Sequence, residues 1–361
     1  MKRGLYFVLI AGGLFSACAA PVRHADRPEC EAIRGALDVG SGSTKAMVAR
    51  VDTCKETILE VIDPGPNETF HAKLLFKEGL VSGSVGPALS AEVRTSGLAA
   101  IQQLVERAKR SGASTLVGVA TAVFREAING KEFIQEVNAR TGARIRVISQ
   151  QEEAELGVRS AVAVVAVDLS QVVVWDIGGA SMQISAWNPT RGKFMTSLNR
   201  FASGPMRAAV IRQVQGKKSA EAGTSPNPMG RKDAAKAIEL AGIQARRLVA
   251  DAFINGVRGR EWLGIGGVHA LSICELLQGQ SAADCSYTLE ELEARLLELS
   301  ELTDRQLIEG GHVGAIEYAR GAVTNAALVC GFMKALGIKQ VRTLDVSLVQ
   351  GVLVHERIAG S

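Results

Sequence analysis

The sequence predicts an α/β protein made of two related lobes that face each other across a cleft. Two stretches carry that expectation. Val172 to Trp187 reads V-V-V-W-D-I-G-G-A-S-M-Q-I-S-A-W, a β-branched run that ends in Asp176, then a turn of small residues, then a run with alternating apolar positions. Ala36 to Val48 repeats the order, with Asp38 followed by Gly40 to Thr44 and another apolar run. Each is the pattern of strand, tight turn and strand. Glycines in such turns let main-chain N–H groups approach a ligand closely, in a concave nest suited to phosphate oxygens. A third Gly-rich turn, Gly264 to Gly267, follows a further apolar run. Ligands of α/β sheets collect beyond the carboxyl ends of the strands, where all three turns fall. A chain of 361 residues also exceeds what one core usually supports. Domains are therefore expected over residues 31–165 and 166–361, with the C-terminal segment able to pack back on the first.

The first lobe opens with strands at Ala36 to Asp38 and Lys45 to Val51, and a third at Thr57 to Ile62 or Phe70 to Phe76. Pro87 to Arg110 has apolar residues at helical spacing. Leu116 to Ala120 reads as a strand, Arg125 to Arg140 as a helix and Arg144 to Ile148 as a strand. Gln150 to Ala163 is a helix capped by Ser149, with Glu152 in its first turn, where negative charge is favoured. The second lobe repeats the opening strands from Val172, with Lys193 to Leu198 third. Trp262 to Ile265 is a strand leading into a helix at His269 to Leu277. Leu289 to Leu302 is an acidic helix, Ala315 to Leu336 an apolar one, and Val341 to Val346 the last strand. Between residues 206 and 260, eleven Lys/Arg stand against four Asp/Glu. That surplus is either a solvated basic face or a surface that attracts a polyanion.

A net charge of +4 is too mild to call for nucleic acid, and a 4% aromatic content leaves few stacking platforms for single strands. Residues 1–20 read as a secretory signal: Lys2 and Arg3, an apolar run from Leu5 to Phe15, then small residues. Residues 21–30 form a short linker. Cys18 after Leu14-Phe15-Ser16-Ala17 resembles a bacterial lipoprotein box, and ordinary cleavage after Cys18-Ala19 is the alternative. The protein is accordingly expected outside the cytoplasm, periplasmic or membrane-anchored. Export makes Cys30 with Cys54, and Cys274 with Cys285, candidate disulfides, the alternative being unpaired thiols buried as small hydrophobes. Cys330 sits in an apolar run and reads as a buried free thiol. No clustered His/Cys spacing supports zinc.

Four motifs, D-V-G-S-G-S-T at 38–44, T-A-V-F-R-E-A-I-N at 121–129, I-S-Q-Q-E-E-A-E-L at 148–156 and D-I-G-G-A-S-M-Q at 176–183, resemble in order and spacing those of the exopolyphosphatase/guanosine pentaphosphatase (Ppx/GppA) family. The segments at 263–271 and 342–353 fall where that family has a Gly-Gly turn and a closing loop. The fourth motif is also similar to the D-L-G-G-A-S-T-Q turn of ecto-nucleoside triphosphate diphosphohydrolases. The resemblance implies two RNase H-like (actin-like ATPase) domains with a cleft between them, in a short two-domain form. It implies hydrolysis of a phosphoanhydride, foremost release of phosphate from polyphosphate. Glu153 would be the general base for the attacking water, and Asp38 and Asp176 would hold Mg²⁺ through waters. Ser41, Gly42, Ser43 and Thr44, Gly178, Gly179, Ala180 and Ser181, and Gly266 and Gly267 would hold phosphates. Arg125 would either neutralise a phosphate or brace its helix.

The chain departs from the family pattern at Ala122 or Val123, Gln183, and Ser347, Val349 and Gln350. Two alternatives therefore stand beside polyphosphate hydrolysis. One is a nucleoside tri- or diphosphatase, which needs a slot for the base, with Tyr287, Tyr318 and Phe332 as candidates. Export would separate the protein from cytoplasmic guanosine pentaphosphate. The other is a non-catalytic lipoprotein that binds polyphosphate or nucleotide. The expected partners are the phosphate substrate and, through a lipid on Cys18, the membrane; a homodimer is left open.

Overall fold

A computed structural model of the chain describes residues 30–65, 71–72, 76, 79–82, 86–165, 167–218, 224–279 and 285–355. The N-terminal segment with Cys18 lies outside the described residues. Two mixed sheets form the frame. The first runs Thr57–Asp63, Thr44–Asp52, Glu31–Val39, Thr115–Ala120, Arg144–Val147. Its first three strands are antiparallel and the last two join in parallel. The second runs Lys193–Asn199, Met182–Asn188, Val172–Ile177, Glu261–Ile265, Gln340–Thr343 with the same directions, and adds Ser286–Thr288 as an antiparallel edge. The chain thus builds one arrangement twice, as the paired motifs predict.

The registers make the two opening hairpins equivalent residue by residue. Val39 faces Thr44 and Asp38 faces Lys45 in the first. Ile177 faces Met182 and Asp176 faces Gln183 in the second. Each turn closes on the same bond, Gly40 N to Ser43 O and Gly178 N to Ser181 O, both 3.0 Å. Behind them lie apolar cores. Trp175, Ile177 and Ile184 pack with Ala241 and Phe332 from the helices Gly230–Leu248 and Ile316–Leu336. Leu37 and Val39 pack with the ring cluster of Phe76, Phe124 and Phe133.

Three elements differ from the sequence expectation for local reasons. The helix expected from Pro87 begins at Ala91, because Ser90 caps it by accepting from Val93 N. Pro87–Leu89 instead pairs with Leu80–Ser82 as a short hairpin. The helix expected over Arg125 to Arg140 is two, Ala122–Glu126 and Gly130–Thr141. Asn129 interrupts it by bonding both main-chain groups of Leu89, at 2.8 and 3.0 Å. The last strand stops at Thr343, and a helix, Leu348–Val354, follows. Ser347 and Gln350 form its capping box, so two of the departures from the family pattern serve a helix start.

That closing helix packs on the first sheet, with Leu348, Val349 and Val352 against Ala36, Ala49 and Val117. Gly351 N donates to Ser160 Oγ at 2.9 Å. Cys30 is bonded to Cys54 and Cys274 to Cys285, and Cys330 is a buried free thiol. The basic residues Arg231, Lys232, Lys236, Arg246 and Arg247 lie exposed along the helix Gly230–Leu248. Lys236 pairs with Asp233 on that face.

The closing helix approaches so closely that a Cβ on Gly351 would sit 2.6 Å from Ser160 Oγ and 2.8 Å from Leu156 O. Gly351→Ala should therefore destabilise the protein by about 1–3 kcal/mol, as overpacking does. An unchanged urea midpoint would show that the helix yields to the added methyl group.

Candidate active site

The three Gly-rich turns open on one cavity of about 290 Å³. Its walls include Asp38, Ser41, Gly42 and Ser43 from the first hairpin and Asp176, Gly178, Gly179, Ala180 and Ser181 from the second. Gly266 and Gly267 close it from the third turn, and Glu153 enters from the helix Gln150–Val164. Two of the residues expected at the site lie elsewhere. Thr44 is wholly buried and does not line the cavity. Strand alternation turns its side chain to the core and presents Lys45 to the cavity instead. Arg125 is not a wall residue either. Its guanidinium donates to Ile148 O at 3.0 Å and lies 2.7 Å from Glu153 Oε2, which braces the helix and supplies a counter-charge.

Glu152 and Glu153 are separated by their partners. Glu152 completes the capping box with Ser149, whose N–H donates to it at 2.8 Å, and it pairs with Arg146 at 2.7 Å. It is a structural acid. One residue on, Glu153 is 6% exposed. The Arg125 contact to its Oε2 is an ion pair without an aligned N–H, so that oxygen retains an accepting lone pair. Its Oε1 accepts weakly from Ser181 Oγ at 3.5 Å, and Gln183 Nε2 donates to the same Ser181 Oγ at 3.1 Å. Burial pushes the Glu153 pKa up, Arg125 pulls it down, and the charge of Asp38 pushes it up again.

Asp38 and Asp176 occupy the equivalent hairpin positions. Burial raises Asp38, while Lys45 and a hydrogen bond from Leu348 N oppose the rise. Asp176 is pushed up to about 8, first by burial, then by Glu153 and Asp38, against Lys45. Gly266 has φ +79°, and a Cβ there would lie 2.4 Å from Asp176 Oδ1. The third turn can thus press its main chain against the acid only as glycine. Three carboxyl groups, Glu153 buried and Asp38 and Asp176 half-buried, stand against one lysine and one arginine, which leaves the site short of positive charge. Two hard oxygen donors with room for water fit a small divalent cation such as Mg²⁺.

Among the described residues that line the cavity there is no histidine. His269 is fully buried, its Nδ1 bonded to the Tyr287 hydroxyl at 2.8 Å, and burial lowers its pKa to about 3. Sequence reasoning missed Lys45, Ser203, Ser272, Glu275 and Asn325, which also line the cavity. Lys45 was within reach, since a two-residue period from Asp38 across the turn places it on the same face.

The raised Asp176 pKa has a stability consequence. The folded protein keeps a proton that the unfolded chain releases above about pH 4, so stability falls as pH rises from about 4 to about 8. Asp176→Asn should flatten that slope in metal-free buffer. Urea unfolding of both proteins at pH 5 and pH 8 checks it, and parallel slopes would count against the buried charge.

Residues 71–200 match the model of the Ppx/GppA phosphatase family. A stretch of 164 residues is 32% identical to the guanosine-5'-triphosphate,3'-diphosphate pyrophosphatase of Vibrio cholerae, covering 45% of this chain and 30% of that protein. A stretch of 162 residues is 30% identical to an uncharacterised protein of Streptomyces coelicolor, covering 45% of each. The matches thus span less than half the length of these curated relatives. Across the fold, the Ppx/GppA family member of Aquifex aeolicus superposes with a TM-score of 0.67 at 14% identity, over 90% of this chain and 97% of that one. An exopolyphosphatase from Cytophaga hutchinsonii gives 0.67 at 16%, over 88% and 96%. At these identities the likeness is one of fold, the two-domain actin-like ATPase fold. Sequence over residues 71–200 and fold across both lobes point the same way: this stretch is similar to the Ppx/GppA phosphatase family, and the whole chain shares the fold of the Aquifex aeolicus member.

Proposed function

We propose that this chain is a phosphoanhydride hydrolase that removes the terminal phosphate of a polyphosphate or nucleoside polyphosphate. The observation that carries the reading is the convergence of two equivalent phosphate-type turns and one buried carboxylate, Glu153, on a single cavity. The main-chain groups of Ser41 to Ser43 and Gly178 to Ser181 cradle the terminal phosphoryl group from opposite sides. Lys45 neutralises one of its charges. Glu153 accepts a proton from water as that water's oxygen bonds to phosphorus and the bridging P–O bond breaks. The shortened phosphate chain leaves with the bridging oxygen. Arg125 pulls the Glu153 pKa down against the rise that burial causes, and Ser181 orients it.

Asp38 and Asp176 are the residues that would hold Mg²⁺, which when bound offsets the charge of the phosphates. Export and a lipid on Cys18 remain part of the proposal, resting on residues 1–20. Export favours a substrate other than the guanosine nucleotide named for the Vibrio cholerae relative. The alternative of a binding protein without turnover rests on the family-pattern departures. Two of these, Ser347 and Gln350, have a capping role that leaves the carboxylates untouched.

Phosphate release from tripolyphosphate or nucleoside triphosphate with Mg²⁺ tests the reading. Glu153→Gln should lower kcat about 10²–10⁴-fold, the range of a lost general base, with little change in KM. Release by the variant at the wild-type rate would exclude Glu153 as the base.

A further inference from the structure

The phosphate turns occupy only part of the cavity. From Gly267 a helical segment leads away, Val268–Ile273 continuing into Cys274–Gln278. Its residues 268, 271, 272 and 275 line the cavity as one stripe. Opposite, Tyr318, Gly321 and Asn325 form the facing stripe of the helix Ile316–Leu336. Gly267 to Glu275 spans about two helical turns, the first of them a wide π turn. A group in this outer part is therefore some way from the terminal phosphoryl group.

The chemistry changes along that distance. Asn325 is 6% exposed, yet its Oδ1 has no hydrogen-bond partner, while its Nδ2 donates to Ser272 Oγ at 3.1 Å. Glu275 adds a half-buried carboxyl group that accepts from Gly314 N–H, and burial raises its pKa. Leu271 and Tyr318, both 42% exposed, supply apolar and aromatic surface. Among the described residues lining the cavity the cation is Lys45, at the turn end. An outer wall of acceptors, one of them acidic, without a lysine or arginine repels further phosphate and suits hydrogen-bond donors. Of the three aromatic candidates for a base slot, Tyr287 and Phe332 are fully buried in the core, and Tyr318 alone reaches the cavity.

Resting on the hydrolase reading above, we infer that Glu275, Ser272, Asn325 and Tyr318 form a subsite for an uncharged, donor-bearing ring group on the leaving end of the phosphate chain. A sugar diol or a base amino group has that chemistry, and additional phosphate does not. The substrate class is a nucleoside polyphosphate in preference to inorganic polyphosphate.

Calorimetric titration of the full chain carrying Glu153→Gln, with adenosine triphosphate and with inorganic tripolyphosphate as Mg²⁺ complexes, tests the subsite. The nucleotide should bind at least about tenfold tighter, the worth of one or two hydrogen bonds to a charged group. Adding Glu275→Gln should shift the two ligands in opposite directions, about tenfold weaker for the nucleotide and tighter for tripolyphosphate. Tyr318→Ala, at an exposed position that folding tolerates, should weaken the nucleotide several-fold more than tripolyphosphate. A 2'-deoxy nucleotide that loses affinity places the diol at Glu275, and one that does not places the base there. Equal affinities for the two ligands, or shifts of the same sign and size in Glu275→Gln, would overturn the inference. Binding is read without turnover, so nucleotide preference in a chain that releases no phosphate would uphold the subsite and sink the hydrolase reading. Phosphate release without nucleotide preference would do the reverse.

Discussion

Three carboxyl groups, the buried Glu153 and the half-buried Asp38 and Asp176, converge on one cavity, and much of the surrounding structure compensates for them. Unpaired buried charge is among the most costly features a fold can carry. Here Lys45 faces the two aspartates, Arg125 stands 2.7 Å from Glu153, and the first N–H of the closing helix donates to Asp38. The compensation is incomplete, as the position of Asp176 near 8 shows. A site held in that condition suits a divalent cation and, on the proposed reading, a reaction whose transition state spreads negative charge over phosphate oxygens.

Repetition of one α/β arrangement sets this constraint up. Equivalent hairpin registers place Asp38 and Asp176 alike, and across each turn the opposite residue is Lys45 in one lobe and Gln183 in the other. A carboxylate at 183 would add a further buried negative group beside Asp176. The glutamine instead donates to Ser181, and Ser181 reaches Glu153. This departure from the family pattern therefore works with the charge balance of the site, just as Ser347 and Gln350 serve the start of the closing helix.

The site grades from catalytic to selective chemistry. Main-chain turns and carboxylates line one part of the cavity, where the proposed reaction places the phosphoryl group, and helix faces from the second lobe line the rest. Main-chain turns need only small residues and a fixed hairpin. Helix stripes such as 268, 271, 272 and 275 can vary by side chain without disturbing the turn beside them, which suits the outer part to the selective role proposed for it.

The local patterns of this sequence sufficed for the strand, turn and strand units, the capped helix carrying Glu153, and the set of Gly-rich turns. Each rests on periodicity and turn chemistry within about fifteen residues. The same patterns left Thr44 and Lys45 indistinct, because adjacent residues of a strand face opposite ways and only the packed sheet settles which side is core. They could not separate Arg125 as a brace from Arg125 as a phosphate ligand, since Glu153 and Ile148 meet it only in three dimensions. Tyr318 was one aromatic among three until the core claimed Tyr287 and Phe332. Charge compensation, side-chain facing and the outer wall of the cavity all depend on contacts between segments far apart in the chain. Tertiary structure alone decided them, because burial and pairing are properties of assembled neighbours.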